Sequence, residues 1–189
     1  MYNNLKITFS LLVLLLCALC SFFVTKYTNQ IAFDALAIDD IPRIYSLFSS
    51  ISSTITALIP LVVFFFFYCT TDIMMNTLFE ENISKKNLFF IIGLALVPLL
   101  VYQYFLWYNL ITYCNANVIK TINDYYNIKF IFNLSFSNIN LIGKICWVLF
   151  YLSMIALLYF KKVKLYKILI SVISPSLLVV IIYNILVTY

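Results

Sequence analysis

Residues 88–112 read LFFIIGLALVPLLVYQYFLWYNLIT, an apolar run without a single charged side chain. A helix needs about 20 such residues to cross the hydrocarbon core of a bilayer. Working outward, four further stretches qualify by length and apolar content: 7–24, 51–69, 141–160 and 165–187. Backbone groups surrounded by lipid must be hydrogen-bonded within their own segment, so these runs are expected to be helices. A membrane barrel does not fit, because barrel strands alternate apolar and polar residues whereas these runs are continuously apolar. The fold expected is an all-α integral membrane protein. It is one transmembrane domain over 1–189, a bundle of five transmembrane helices with an extended or interfacial outer loop.

Composition agrees and narrows the chemistry. The chain is 65% hydrophobic and 10% charged, with a mean hydropathy of +1.04. Soluble domains carry about 25% charged residues, so one soluble core cannot hold this excess. There is no histidine, which removes imidazole-based triads, general bases, haem ligation and zinc sites. The two glycines, Gly93 and Gly143, cannot build a phosphate loop or a dinucleotide fingerprint. The abundance of Phe, Tyr, Ile, Asn and Lys fits an AT-rich, bacterial genome. It also weakens arguments from aromatic content alone.

The first run, ITFSLLVLLLCALCSFFV, follows Lys6 and ends in small residues, as a signal peptide would. The apolar run continues through Phe22, Phe23 and Val24, and it is read as a retained span.

Orientation follows from Lys and Arg in the short loops. With the N-terminus inside, Lys6, Lys85, Lys86, Lys161, Lys162, Lys164 and Lys167 lie on the cytoplasmic side. Lys26, Arg43, Lys120, Lys129 and Lys144 lie on the other. The densest cluster, KKVKLYK, occupies the shortest loop, where the rule is strongest. Trp107 and Trp147 fall at corresponding ends of spans three and four, as an interfacial belt on the outer side. The C-terminus is therefore expected outside.

The loops carry their own expectations. Outer loop 25–50, with Asp34, Asp39 and Asp40 among apolar residues, reads as an interfacial helix or lid. In outer loop 113–140, Ile128, Phe130, Phe132, Leu134 and Phe136 alternate with polar residues apart from Ile131. That pattern predicts an extended segment against the outer surface.

After span two, CTTDIMMNTLFEENISKK places Asp72, Asn76 and Glu80 at i, i+4 and i+8. If the helix continues, they form one polar stripe opposite Met74, Met75, Leu78 and Phe79. Together with Lys85 and Lys86, that stripe is the candidate partner-binding face. A solvated face anchored by lysines is the plainer reading.

Within the spans the polar residues are few: Gln103, Asn109, Lys144, Ser174, Ser176 and Asn184. No ionisable residue sits at mid-depth, since Lys144 can reach the outer interface, and this argues against an ion-coupled transporter. Pro60, Pro98 and Pro175 lie inside spans, and each frees a carbonyl about four residues earlier. Kinked helices can line a path, so Pro98, Gln103, Pro175 and Asn184 mark a transport alternative. Kinks that only shape a bundle are the plainer reading. Cys17 and Cys20 form a C-x-x-C that, on a helix in lipid, reads as two small apolar residues. No cofactor, metal or catalytic residue is expected.

From about Ile51 to the C-terminus the chain resembles the YIP family, the Rab/Ypt-interacting five-span proteins and their bacterial relatives. The resemblance rests on SKKNLFFIIGLALVPLL, with Gly93 and Pro98 in a span that follows a lysine pair. It rests equally on the closing FKKVKLYKILISVISPSLLVVII, a short basic turn before a proline-containing last span. The inner connection lacks the family's glycines, and no cytosolic N-terminal region precedes span one, so Rab binding is not carried over. The resemblance implies a non-enzymatic protein of membrane organisation, trafficking or assembly. The expectation is a scaffold or accessory subunit in a bacterial inner membrane, with a permease subunit as the alternative. Its expected partners are the lipid bilayer and other membrane proteins, not nucleic acid.

Overall fold

The structure, a computed structural model, describes residues 2–36, 42–113 and 129–188. Six α-helices follow in order: α1 (Tyr2–Leu36), α2 (Pro42–Asp72), α3 (Lys85–Ala95), α4 (Val97–Tyr113), α5 (Phe136–Tyr159) and α6 (Leu165–Thr188). A π-helical turn, Ile73–Leu78, ends α2, and a 3-10 turn, Ile131–Asn133, precedes α5. Among the described residues there is no strand. Four stretches are long and apolar enough to cross a membrane: Asn4–Ile31, Ser46–Leu78, Lys85–Tyr113 and Ser137–Tyr159. Leu165–Leu178 is a shorter apolar stretch.

Two expectations about the loops need correction. Residues 25–36 and 42–50 form no separate interfacial helix; they prolong α1 and α2. Asp39 and Asp40 lie outside the described residues. Over the described residues 129–137 the alternation does not produce an extended segment either. Phe130 N–H donates to the Leu134 carbonyl at 2.9 Å, and Leu134 N–H donates back to Ile131 at 3.3 Å, closing a tight turn. Phe132 and Asn133 take φ of 60° and 58° there, so the period-2 pattern is carried by a turn and the start of α5. Residues 114–128 of that loop lie outside the described residues.

The prolines act unequally. Pro98 has no N–H to give Leu94, and the helix breaks at Leu96 between α3 and α4. Pro60 and Pro175 lie inside α2 and α6, which continue through them.

The chain divides into two compact units. Unit 1 comprises Met1–Leu14, Val62–Val97 and Val148–Tyr189. Its packing is aromatic: Phe64 meets Phe89 at 4.8 Å between ring centroids and Phe67 meets Phe150 at 5.2 Å, both edge-on, the geometry that ring quadrupoles favour. Gly93 permits a close approach to α1, because a Cβ there would stand 2.3 Å from Ser10 Oγ and 2.8 Å from its Cα.

Unit 2 comprises Leu15–Leu61 and Pro98–Trp147. Its core is Ile31, Leu110, Phe130 and Ile139, with Tyr27, Phe105 and Leu134 packed against it. Phe23 stacks on Trp107 at 5.5 Å. The buried Asn109 joins α4 to the turn before α5. Its Nδ2 donates to the Phe105 carbonyl at 2.7 Å, and its Oδ1 accepts from Ile131 N–H at 3.1 Å.

Candidate functional site

The polar groups of unit 1 gather around the connection between α2 and α3. The α-helix stops at Asp72 and widens into the π turn, so Phe79 N–H reaches Met74 five residues back, at 3.0 Å. Glu81 N–H then bonds the Met75 carbonyl at 2.8 Å. Glu80 sits at φ 54°, a left-handed conformation that ends any helical register. Ser84 restarts the chain as N-cap of α3, accepting from Asn87 N–H.

This geometry rewrites the expected stripe. Asn76 and Asp72 do meet, with Asn76 Nδ2 donating to Asp72 Oδ1 at 2.7 Å. The same carboxamide also pairs with the backbone of Ile83, donating to its carbonyl and accepting from its N–H, both at 3.0 Å. Asn76 therefore closes the loop by mimicking a peptide group, and is not displayed on a solvated face. Glu80 lies beyond the helix and exposed, off the face that Asp72 and Asn76 share. A continuous amphipathic helix over 72–80 is not what forms. The π turn and the left-handed residue change the rotation per residue that the i, i+4, i+8 reading assumed.

Lys85 and Lys86 stand exposed in the first turn of α3. Of the transport candidates, Pro98 and Gln103 belong to unit 2, Pro175 is buried in unit 1, and the side chain of Asn184 lies outside the described residues.

Two clamps were not visible as such in the sequence. Lys167 Nζ, from the first turn of α6, lies 2.7 Å from Glu81 Oε1 and donates to the Phe79 carbonyl at 3.0 Å. It also sits over the Phe79 ring at 5.7 Å. Lys6 Nζ donates to Asn87 Oδ1 at 3.0 Å and lies 5.7 Å from the Phe90 ring. In the sequence both lysines mark orientation. The only other signal was an odd one: lysine at the start of an apolar helix, a position that the helix dipole disfavours unless a partner offsets it.

The lysines separate along the two units. All seven assigned to one side of the membrane, Lys6 through Lys167, fall in unit 1. Lys26, Arg43, Lys129 and Lys144 fall in unit 2, and Lys120 lies outside the described residues. Trp107 and Trp147 both belong to unit 2.

Among the described residues no group of His, Cys, Asp and Glu could hold a metal ion. Cys17 and Cys20 are buried and unpaired in α1. The hydroxyls of Thr71 and Ser171 are buried in unit 1 with no hydrogen-bond partner. The arrangement fixes a loop between two helices and leaves lysines at the surface. Comparison with protein-family models, curated proteins and solved structures finds no match to this chain.

Proposed function

We propose that the chain is a non-enzymatic, five-span protein of a bacterial inner membrane, with its N-terminus cytoplasmic and C-terminus outside, serving as a scaffold or accessory subunit of a membrane complex. The observation that carries this reading is the exposed small-residue face of α2. Ser46, Ser50 and Thr54 are exposed at four-residue spacing, and the Ser50 and Thr54 hydroxyls donate to carbonyls four residues back at 2.8 Å. The face is thus small and internally satisfied, with Ile51, Ile55, Leu58 and Val62 exposed around it. Lipid chains cover plain apolar surface without loss, but close helix–helix packing in membranes uses small residues. Of the four long apolar stretches, this one is the least buried within the chain.

Five spans are supported by α6, whose 24 residues would extend about 36 Å at 1.5 Å per residue. The assigned sidedness is supported by the dense basic turn Lys161, Lys162, Lys164 and Lys167 in a short connection. The resemblance of residues 51–189 to the YIP family supports the same functional class.

The test is a cysteine at position 54, crosslinked in native membranes with a short thiol-reactive bridge. The reading expects a discrete higher-mass adduct that Ser50→Phe abolishes. Adducts of every size, unaffected by Ser50→Phe, would remove it.

A permease subunit is the second reading. It is favoured by the break at Leu96 before Pro98, because interrupted helices expose carbonyls to a passing solute. It expects Pro98→Ala and Gln103→Leu to abolish flux of a defined solute in proteoliposomes.

A further inference from the structure

Beyond lateral contact in the membrane plane, unit 1 carries a charge imbalance with a definite shape. It holds seven lysines against three carboxylates, Asp72, Glu80 and Glu81. Glu81 is taken by Lys167 and Asp72 is held by Asn76. Lys85, Lys86, Lys161, Lys162 and Lys164 are exposed, and among the described residues none of them engages a carboxylate.

The two groups of lysines are held to the same end of unit 1. Lys167 N–H donates to the Lys164 carbonyl at 3.0 Å, while its Nζ grips Glu81, four residues before Lys85. The 160–164 turn itself is tight. Lys161 N–H bonds Leu158 at 2.9 Å, Lys162 N–H bonds Tyr159 at 2.8 Å, and Lys162 has φ 64°. Val163 is buried and anchors this turn, so the flanking lysines point away from the packed helices.

The aromatic neighbours decide the medium. Tyr159, Phe160 and Tyr166 are 60%, 79% and 55% exposed. Water would penalise that much bare ring beside a basic turn. At a bilayer interface the rings sit among the glycerol and upper acyl groups while the ammonium groups reach the phosphate plane. We infer that the Tyr159–Tyr166 turn, together with Lys85 and Lys86, is a binding surface for the headgroups of anionic phospholipids. The lysines supply the charge, the rings set the depth, and the Lys167–Glu81 clamp holds the two lysine groups in one place. The inference stands whether or not α2 has a protein partner.

The test is native mass spectrometry of the full chain in an uncharged detergent, offered equal amounts of phosphatidylglycerol and phosphatidylcholine. The wild type is expected to retain phosphatidylglycerol about three- to tenfold over phosphatidylcholine, the scale expected of a few lysines near anionic headgroups. Single variants such as Lys162→Gln, which leave folding charges largely intact, lower the preference partway. Replacing all five lysines by Gln brings it to parity, and replacing all five by Arg retains it. The control set of three, Lys26→Gln, Lys129→Gln and Lys144→Gln in unit 2, leaves it unchanged. Equal retention of both lipids by the wild type would overturn the inference. So would a preference that survives the five-Gln variant, or one that free glycerol phosphate abolishes, since the site would then belong to a soluble phosphate.

Discussion

Lys167 and Glu81 stand 86 residues apart in sequence and 2.7 Å apart in space, and their contact fastens the connection after α2 to the first turn of α6. Without it the left-handed Glu80 segment would be held only from within, by Asn76 and by backbone bonds such as Glu81 N–H to the Met75 carbonyl. With Lys167 also bonded to the Phe79 carbonyl, the loop is held from outside as well as from within. Lys167→Met is expected to open residues 79–84 to protease and to lower the melting temperature in detergent. Glu81→Gln, which keeps an acceptor for the ammonium group, is expected to do so less. Limited proteolysis with mapping of the cut site checks both, and an uncut loop in Lys167→Met would contradict the clamp.

Gly93 and Gly143 look alike in sequence, each the lone glycine of an apolar run, but their surroundings predict different costs. A Cβ on Gly93 meets Ser10 down to its Cα, whereas a Cβ on Gly143 meets the far end of the Tyr102 ring at 2.7 Å. Backbone cannot step aside as a ring tip can. Gly93→Ala is expected to cost about 1–3 kcal/mol, the usual range for overpacking, and Gly143→Ala less than about 1 kcal/mol. Thermal unfolding in one detergent, compared across both variants, decides the order.

Asn109 is fully buried and serves two backbone groups on different segments. Asn109→Leu strands the Ile131 N–H, a loss of about 1–3 kcal/mol when a buried donor goes unpaired. Asn109→Asp keeps an acceptor for Ile131 but loses the donor to Phe105. Hydrogen exchange at Ile131 is the direct readout: rapid in Asn109→Leu, slow in Asn109→Asp. Equal exchange in the two variants would sink this assignment.

Uninterrupted apolar runs such as 88–112 show their helices plainly, because they lack the alternation of a barrel strand and only a helix pairs such a backbone within itself. The missing donor at Pro98 was legible as well, but the same reading applied to Pro60 and Pro175, through which α2 and α6 continue. The connection after α2 was not legible. Its periodicity is helical on paper, and nothing in Asp72, Asn76 and Glu80 reveals that a π turn will shift the register or that Asn76 will bond Ile83 instead of a partner. The alternation at 128–137 misled for a related reason, since a short period-2 pattern does not fix φ, and Phe132 and Asn133 turn back. Lys167 marked a side of the membrane in the sequence. That it grips Glu81 is a long-range fact that no local pattern encodes.

Orientation has its own test. Changing Lys161, Lys162, Lys164 and Lys167 to Glu removes the densest basic loop, and the positive-inside rule predicts mixed or inverted insertion of the last two spans. A cysteine placed near the C-terminus, in a background lacking the native cysteines, reports this through labelling with a membrane-impermeant thiol reagent. The wild type is expected to label from outside, and the reversed chain to lose most of that labelling. Unchanged labelling would contradict the assigned sidedness.

The most direct measurement of the central claim is purification of the chain from its native membranes in a mild detergent, with mass spectrometry of what co-elutes, run beside Thr54→Phe. A scaffold or accessory subunit predicts one reproducible membrane protein in stoichiometric amount, lost from the variant while the chain itself still elutes folded. Elution of the wild type alone, or with the same companions as Thr54→Phe, would contradict it.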